Sequence, residues 1–311
     1  MPNIPELLKE LSETRAFNRI RRISFLGIVD QINQQLKGVR PAFSRAEHSF
    51  GVLDLGLAAA KHINMDEVES AYLLAACMVH DLGHPPFSHS LEYAFKKGQR
   101  TINHHEVLRE ILLQPRGAER QVARILLDHG ISPERVFRIV DGEDDLSFFF
   151  LSPINIDTLD GISRSMRSFG FFSTYDVHSL TQAVADLYDG QKVEDHKSLA
   201  DMDKFWDQKN LFYKVLSSEN PLSLAERRFQ RIVRNHLPRL ERTHFRMTDQ
   251  EFVHRYPQIM YEFGAETGPE AIAGAQEFRI NPRVGSVDRE TVYKRYIRIR
   301  HEIRAAKVYA S

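Results

Sequence analysis

Residues 67–89 read EVESAYLLAACMVHDLGHPPFSH, a helix-length run that is apolar on most faces and ends in three histidines, an aspartate and two prolines. A segment that is apolar all round has to be buried in the middle of a domain. Pro85 and Pro86 cannot continue a helix, so the run stops near Gly83 and delivers His80, Asp81, His84 and His89 to its inner end. An aspartate at that depth is costly unless a positive charge compensates it. A lone buried histidine is usually satisfied by one hydrogen bond. Four such side chains within ten residues point instead to a divalent metal, because neutral imidazole and carboxylate suit Fe, Mn, Ni or Zn. Consecutive residues on a helix diverge by about 100°, so His80 and Asp81 can share an ion only at the helix end, with other segments closing the shell.

The rest of the chain is patterned for helices. Ser44 followed by Glu47 forms a capping box that opens the helix SRAEHSFGVLDLGLAAAKH and places Arg45 and His48 in its first turns. Asp66 opens the apolar run, and further helical patterns lie at HEVLREILLQ, ERQVARILLD and, after Ser132 and Pro133, ERVFRIVDG. Others begin near Pro153, Asp176, Ser198, Pro221 and Thr248. Strand-like alternation is confined to EFRINPRV and to YIRIR from Tyr296, the latter equally readable as a basic helix. The expected fold is therefore all-α, a helical bundle with a helical C-terminal extension and a minor β element. Residues 1–190 form the expected core and 191–311 an extension packed on it, within one continuous domain. The weak points are the loops at 142–145, 190–195 and 264–274.

Basic and acidic residues balance at 42 each, so no overall field draws the chain to nucleic acid or to an anionic membrane. The single cysteine, Cys77, excludes an internal disulfide and fits a reducing compartment. No leader pattern opens the sequence, and no run reaches the roughly 18 apolar residues of a membrane span, so a cytoplasmic protein is expected. Residues 283–311 carry eight Lys/Arg against three acidic residues, with Tyr293, Tyr296 and Tyr309 interleaved. Such a face suits nucleic acid, but it is more often solvated or turned to a neighbouring subunit.

The extra ligands can come from His48 and from Asp157, just after Pro153. Taken alone, His48 reads equally as a surface residue and Asp157 as a first-turn carboxylate favoured by the helix dipole. The order His48, His80-Asp81, Asp157 resembles the H…HD…D signature of the HD superfamily of metal-dependent phosphohydrolases. RAEHSFGV resembles the R-x-x-H-S-x-G-V opening of the branch that contains deoxynucleoside triphosphate triphosphohydrolases, and HDLGHPPFSH its HDLGHGPFSH block. NHHEVLREIL resembles the His-Glu helix that follows, and NIDTLDGISRS the last metal-binding helix.

This resemblance implies a metal held by His48, His80, Asp81 and Asp157, the ion being Mn, Fe, Ni, Zn or Mg. It makes His105 the general acid to the leaving oxygen, with Glu106 orienting it and His84 assisting. Arg45, His84 and His89 would bind substrate phosphate, His104 is a bystander, and Arg164 is an ion-pair partner of Asp160. The implied partner is a nucleotide, hydrolysed at the α-phosphate, in a homo-oligomer. One departure bears on substrate. Where the triphosphohydrolase branch typically carries a lysine, and then a tyrosine and an aspartate that contact the sugar 3′-hydroxyl, this chain has Thr158, Gly161 and Ser165. Polar contacts of that kind carry much of a site's discrimination, so their replacement leaves open a phosphomonoesterase or phosphodiesterase, an HD nuclease, or a non-catalytic nucleotide-binding module.

Overall fold

The computed structural model describes residues 2–31, 43–94, 102–217, 221–237, 239–265 and 275–301. The fold grows from two helices whose starts are chemically fixed. The Ser44 hydroxyl accepts the Glu47 amide while the Glu47 carboxylate reaches back to the Ser44 amide, and the helix Arg45–His62 follows. Asp66 caps Glu67–Val79 by accepting the amides of Val68 and Glu69. From Ala71 to Val79 every residue except Tyr72 is buried, so the apolar run threads the centre of a single hydrophobic core. His80 closes that helix, donating its amide to the Ala76 carbonyl.

Around this pair pack His104–Leu113, Arg120–Asp128, Pro133–Asp141, Ile156–Ser168 and Val177–Tyr188, each opening close to where the sequence pattern places it. The helix expected from Pro153 starts three residues later, because the Asn155 side chain, accepting the Thr158 amide at 2.8 Å, is the actual cap. Two N-terminal helices, Ile4–Glu13 and Arg15–Ile20, carry no strong signal in the sequence yet underpin the histidine-rich turn. Half-buried Arg19 donates to the carbonyls of Leu82 at 2.5 Å and His84 at 2.8 Å. Within that turn Phe87 and Ser88 take φ of +55° and +51°, a left-handed conformation costing roughly 1–2 kcal/mol per non-glycine residue. The cost is offset by anchoring: the Phe87 amide donates to Asp249 at 2.7 Å, and its ring packs in the core beside Phe229 and Phe252.

Ala275–Ile280 and Tyr296–His301 pair as an antiparallel two-stranded sheet with Phe278 opposite Arg298. YIRIR is thus a strand and not a basic helix, because EFRI supplies the hydrogen-bonding edge that a lone helix would not need. Phe278 and Tyr296 each lie 5.3 Å from Trp206, on the long helix His196–Ser217, and the Trp206 indole donates to the Arg279 carbonyl. In the basic tail, Arg289 pairs with Asp145 and Arg295 with Asp203 at 2.6 Å, so two of its charges tie it to the rest of the chain. Tyr309 and residues 302–308 lie outside the described residues, as does most of the 264–274 loop. Among the described residues no helix is long and apolar enough to cross a membrane.

Candidate metal centre

Three segments meet at the end of the buried helix. His80 turns Nδ1 to the Cys77 carbonyl at 2.9 Å, and a carbonyl can only accept, so Nδ1 carries the proton and Nε2 presents a lone pair. His48 is fixed in the same sense, with Nδ1 2.7 Å from Asp160 Oδ2. The two Nε2 atoms face each other at 3.4 Å. Asp157 Oδ1 lies 2.9 Å from His48 Nε2 and 3.9 Å from His80 Nε2. Asp81 flanks the pair, Oδ1 at 3.5 Å from His80 Nε2 and Oδ2 at 3.9 Å from His48 Nε2. His48, His80 and Asp157 thus bring three donor atoms within 4.8 Å of one another, a set that can hold a divalent ion.

Orientation by a carbonyl and a carboxylate is what rings that ligate metal through the opposite nitrogen require. The electrostatics agree. Burial alone would lower the His48 pKa, but its hydrogen bonds to Asp157 and Asp160 outweigh that and carry it up to about 9, so a proton held between carboxylates stands where a cation would. Burial pushes Asp157 up, and His48 more than reverses it, to about 2. Asp160, absent from the expected ligand set, is held bidentately by Arg164 Nε and a terminal nitrogen, each at 2.9 Å. The expected Asp160–Arg164 ion pair is formed, and what escaped notice is that it orients His48. The signal was the spacing: Asp160 lies three residues after Asp157, on the same helix face. A Cβ on Gly51 would sit 2.0 Å from Asp160 Oδ1, so glycine there is what lets the His48 helix come this close.

Arg45 departs from expectation. It donates to Asp81 Oδ2 at 3.1 Å, the Ser88 hydroxyl at 2.8 Å and the Phe25 carbonyl at 3.0 Å, and it is buried. All three of its nitrogens serve the protein, so its contacts position Asp81 and the turn. Burial works to raise the Asp81 pKa, but His80, Arg45 and His84 hold its carboxyl well below the usual carboxylate range.

His84, His89, Glu92 and His104 form a second cluster of four donors within 4.8 Å of one another. His84 turns Nε2 to Asp81 Oδ1 at 3.2 Å and stacks on His104 with ring centroids 4.1 Å apart. Glu92 takes the Nδ1 of His89 at 3.1 Å and of His104 at 3.0 Å. Burial, the first cause in each case, holds His84 well below its ordinary value and His89 down to about 4, so both rings are neutral. Burial would raise Glu92, but His104 and His89 drive it far below the usual range. Neutral rings whose N–H groups point at Asp81 and Glu92 present lone pairs and an anion, a poor direct match for the phosphate expected at His84 and His89. His104, taken as a bystander, is a full member of this cluster. A Cβ on Gly83 would fall 1.9 Å from the His104 carbonyl, so glycine sets this packing too.

His105 stands one ring further out, 4.5 Å from His104, with Nδ1 3.5 Å from Asp141 Oδ1 and 38% of its side chain exposed. Glu106 is exposed, its amide taken by the Asn103 cap, and neighbours on a helix do not face each other; Asp141 lies beside His105, whose Nδ1 makes no hydrogen bond among the described residues. Lys209 was not anticipated. It is buried over Phe205, Trp206 and Phe278, donates to the Pro153 carbonyl at 3.3 Å, and is lowered to about 7 chiefly by burial, against the attraction of Asp157.

Residues 45–147, the stretch that carries His48, His80 and Asp81, match the HD domain family; Asp157 lies beyond the matched stretch. Among curated proteins the chain is 30% identical over 152 residues to an uncharacterized Mycoplasma genitalium protein, covering 47% of this chain and 32% of that one. It is 34% identical over 113 residues to the uncharacterized YwfO of Bacillus subtilis, covering 35% of this chain and 24% of that one. The matched stretches thus span about a third or less of these relatives' length. A hypothetical protein from Aquifex aeolicus shares the fold with a TM-score of 0.65 at 18% identity, over 83% of this chain and 70% of that one. A phosphohydrolase from Bacteroides thetaiotaomicron shares it with a TM-score of 0.57 at 17% identity, over 82% and 64%.

Proposed function

We propose that this chain is a metal-dependent phosphohydrolase acting on nucleotides, and that it hydrolyses (deoxy)nucleoside triphosphates at the α-phosphate. The observation that carries this reading is the convergence of His48, His80 and Asp157, with Asp81 beside them, although they are scattered over more than a hundred residues. These four would hold the ion, with Asp160 and the Cys77 carbonyl fixing the ring tautomers. A bound divalent metal would polarise the phosphoryl group and acidify its water. His105 is the proposed proton donor to the leaving oxygen, with Asp141 beside it; being partly exposed, it can exchange protons with solvent. Lys209 adds a buried amine on the Asp157 side.

The second reading, a phosphomonoesterase or phosphodiesterase, has its own observation. Gly161 has no side chain, though a Cβ there would lie 3.8 Å from His48 Cε1; the Ser165 hydroxyl donates to the Gly161 carbonyl at 2.7 Å, and Thr158 donates to the Asn155 carbonyl. None of the three reaches out as the sugar-contacting residues of the triphosphohydrolase branch do. Nuclease and non-catalytic binding readings remain outcomes of the test. The Mn-loaded protein is incubated with dNTPs, NTPs, nucleoside monophosphates and single-stranded oligonucleotides, and the products are resolved. Inorganic triphosphate is the expected product; orthophosphate establishes the second reading, shortened strands a nuclease, and no product a binding module. His105→Ala should remove turnover while metal content stays unchanged, and full activity in that variant eliminates His105 as the acid.

A further inference from the structure

We infer that His84, His89, Glu92 and His104 form a second metal site that takes a borderline transition ion such as Zn2+, Mn2+ or Fe2+, distinct from the ion held at His48, His80 and Asp157. Three imidazoles and one carboxylate within 4.8 Å of one another are a sufficient donor set for such an ion, which needs three or four protein ligands. Burial shields His84 and Glu92, 1% and 5% exposed, from competing water, while His89 and His104 are partly exposed.

A second and independent observation is an orphan. His84 Nδ1 is fully buried and, among the described residues, has no hydrogen-bond partner. A buried ring nitrogen without a partner is expensive to keep. Here it is also correctly prepared: Nε2 turns to Asp81 Oδ1 at 3.2 Å, which fixes the proton on that side and leaves Nδ1 as a lone pair. The His84–His104 stack brings the second ring alongside, and Glu92 gathers His89 and His104 from the other side. His84 Nδ1 already offers a lone pair, and a cation bound here would take the place of the protons that His89 and His104 Nδ1 now share with Glu92, those protons moving to Nε2. Backbone geometry enforces the arrangement. The left-handed Phe87 and Ser88 aim His89 back across the turn, and Gly83 admits the His104 backbone against it.

The link between the two centres is Asp81, which flanks the first and receives His84 of the second. If the phosphohydrolase reading holds, an ion at the second centre supplies the phosphate attraction that His84 and His89 do not offer by themselves.

The test is metal stoichiometry of the full chain by elemental analysis after dialysis against Zn2+, with folding followed by circular dichroism. Wild type is expected to hold two ions, Glu92→Gln and His104→Ala one each, and His80→Ala the other one. His104 is partly exposed, so its truncation tests the site even if Glu92→Gln fails to fold. One ion in wild type, lost in His80→Ala and kept in both Glu92→Gln and His104→Ala, overturns the second site while leaving the first intact. One ion lost in His104→Ala and kept in His80→Ala supports the second site and breaks the functional reading instead. A Zn2+-dependent rise in Tm that persists in His80→Ala and vanishes in the His80→Ala/His104→Ala double variant is the matching result without activity.

Discussion

The two donor clusters share a wall and differ in how they are assembled. The first takes His48, His80 and Asp157 from three helices, with two further carboxylates, Asp81 and Asp160, in support. The second draws all four donors from residues 84–104 and has Glu92 as its sole carboxylate. A site built from distant elements depends on the global packing that brings them together, whereas one built on a turn and the helix after it depends on local backbone geometry. Mutations should therefore separate the two.

Asp81 is the one residue both clusters touch, and Asp81→Ala should have the largest effect. Removing it takes away a carboxylate that flanks His48 and His80, leaves Arg45 buried without its partner, and frees His84 to change tautomer. Hydrolysis should fall about a thousandfold or more, the equivalent of several kcal/mol of lost transition-state stabilisation. Steady-state kinetics on whichever nucleotide is turned over would measure it, and a loss below tenfold means Asp81 lies outside the chemistry. Asp160→Asn should act on the first cluster alone, weakening its ion by about 10- to 100-fold because His48 loses the acceptor that fixes Nδ1–H. Titration with Zn2+ in the Glu92→Gln background isolates that ion; unchanged affinity would show that His48 needs no such orientation.

Gly83→Ala probes the second cluster in the same way. Its new methyl must displace the His104 carbonyl, so unfolding in urea should show a loss of about 1–3 kcal/mol. The ion at His84, His89, Glu92 and His104 should weaken while the first is kept. Equal weakening of both would mean the clusters are not separable. The smallest effect concerns Lys209, which lies by the first cluster only. Burial depresses its folded value to about 7 from the ordinary 10.5. Below about pH 7 both states carry the charge; between about 7 and 10.5 the unfolded chain binds one more proton, and stability rises with pH. The gain should be about 1 kcal/mol from pH 7 to 8 and should disappear in Lys209→Met. Urea midpoints at the two pH values decide it, and an undiminished slope in the variant assigns the effect elsewhere.

How much of this was legible follows from where the information sits. Helix starts announced themselves because capping is written in neighbouring residues: Ser44 with Glu47, Asp66, Ser132 and Asp176 all cap where they stand. The strand at YIRIR could not be told from a helix, since its partner lies some twenty residues earlier. The roles expected for Arg45 and Glu106 followed motif position, and both shifted once contacts were visible. Arg45 is enclosed by Asp81, Ser88 and Phe25, and Glu106 faces solvent. Arg19, Asp141 and Lys209 had no signal strong enough to single them out, because each acts on a residue far along the chain; Asp160 carried only its spacing from Asp157.

By itself, then, the sequence determined that the chain is helical and that one buried helix ends in a turn rich in imidazole and carboxylate, while the grouping of His48, His80, Asp81 and Asp157 was an expectation from motif resemblance. The first two rest on periodicity, capping and residue type, which are local. Only the tertiary structure decided which nitrogen of each ring carries its proton, that Arg45 props a carboxylate, and that His104 joins His84, His89 and Glu92. Hydrogen-bond direction and burial are properties of what surrounds a side chain, and the surroundings are chosen by packing.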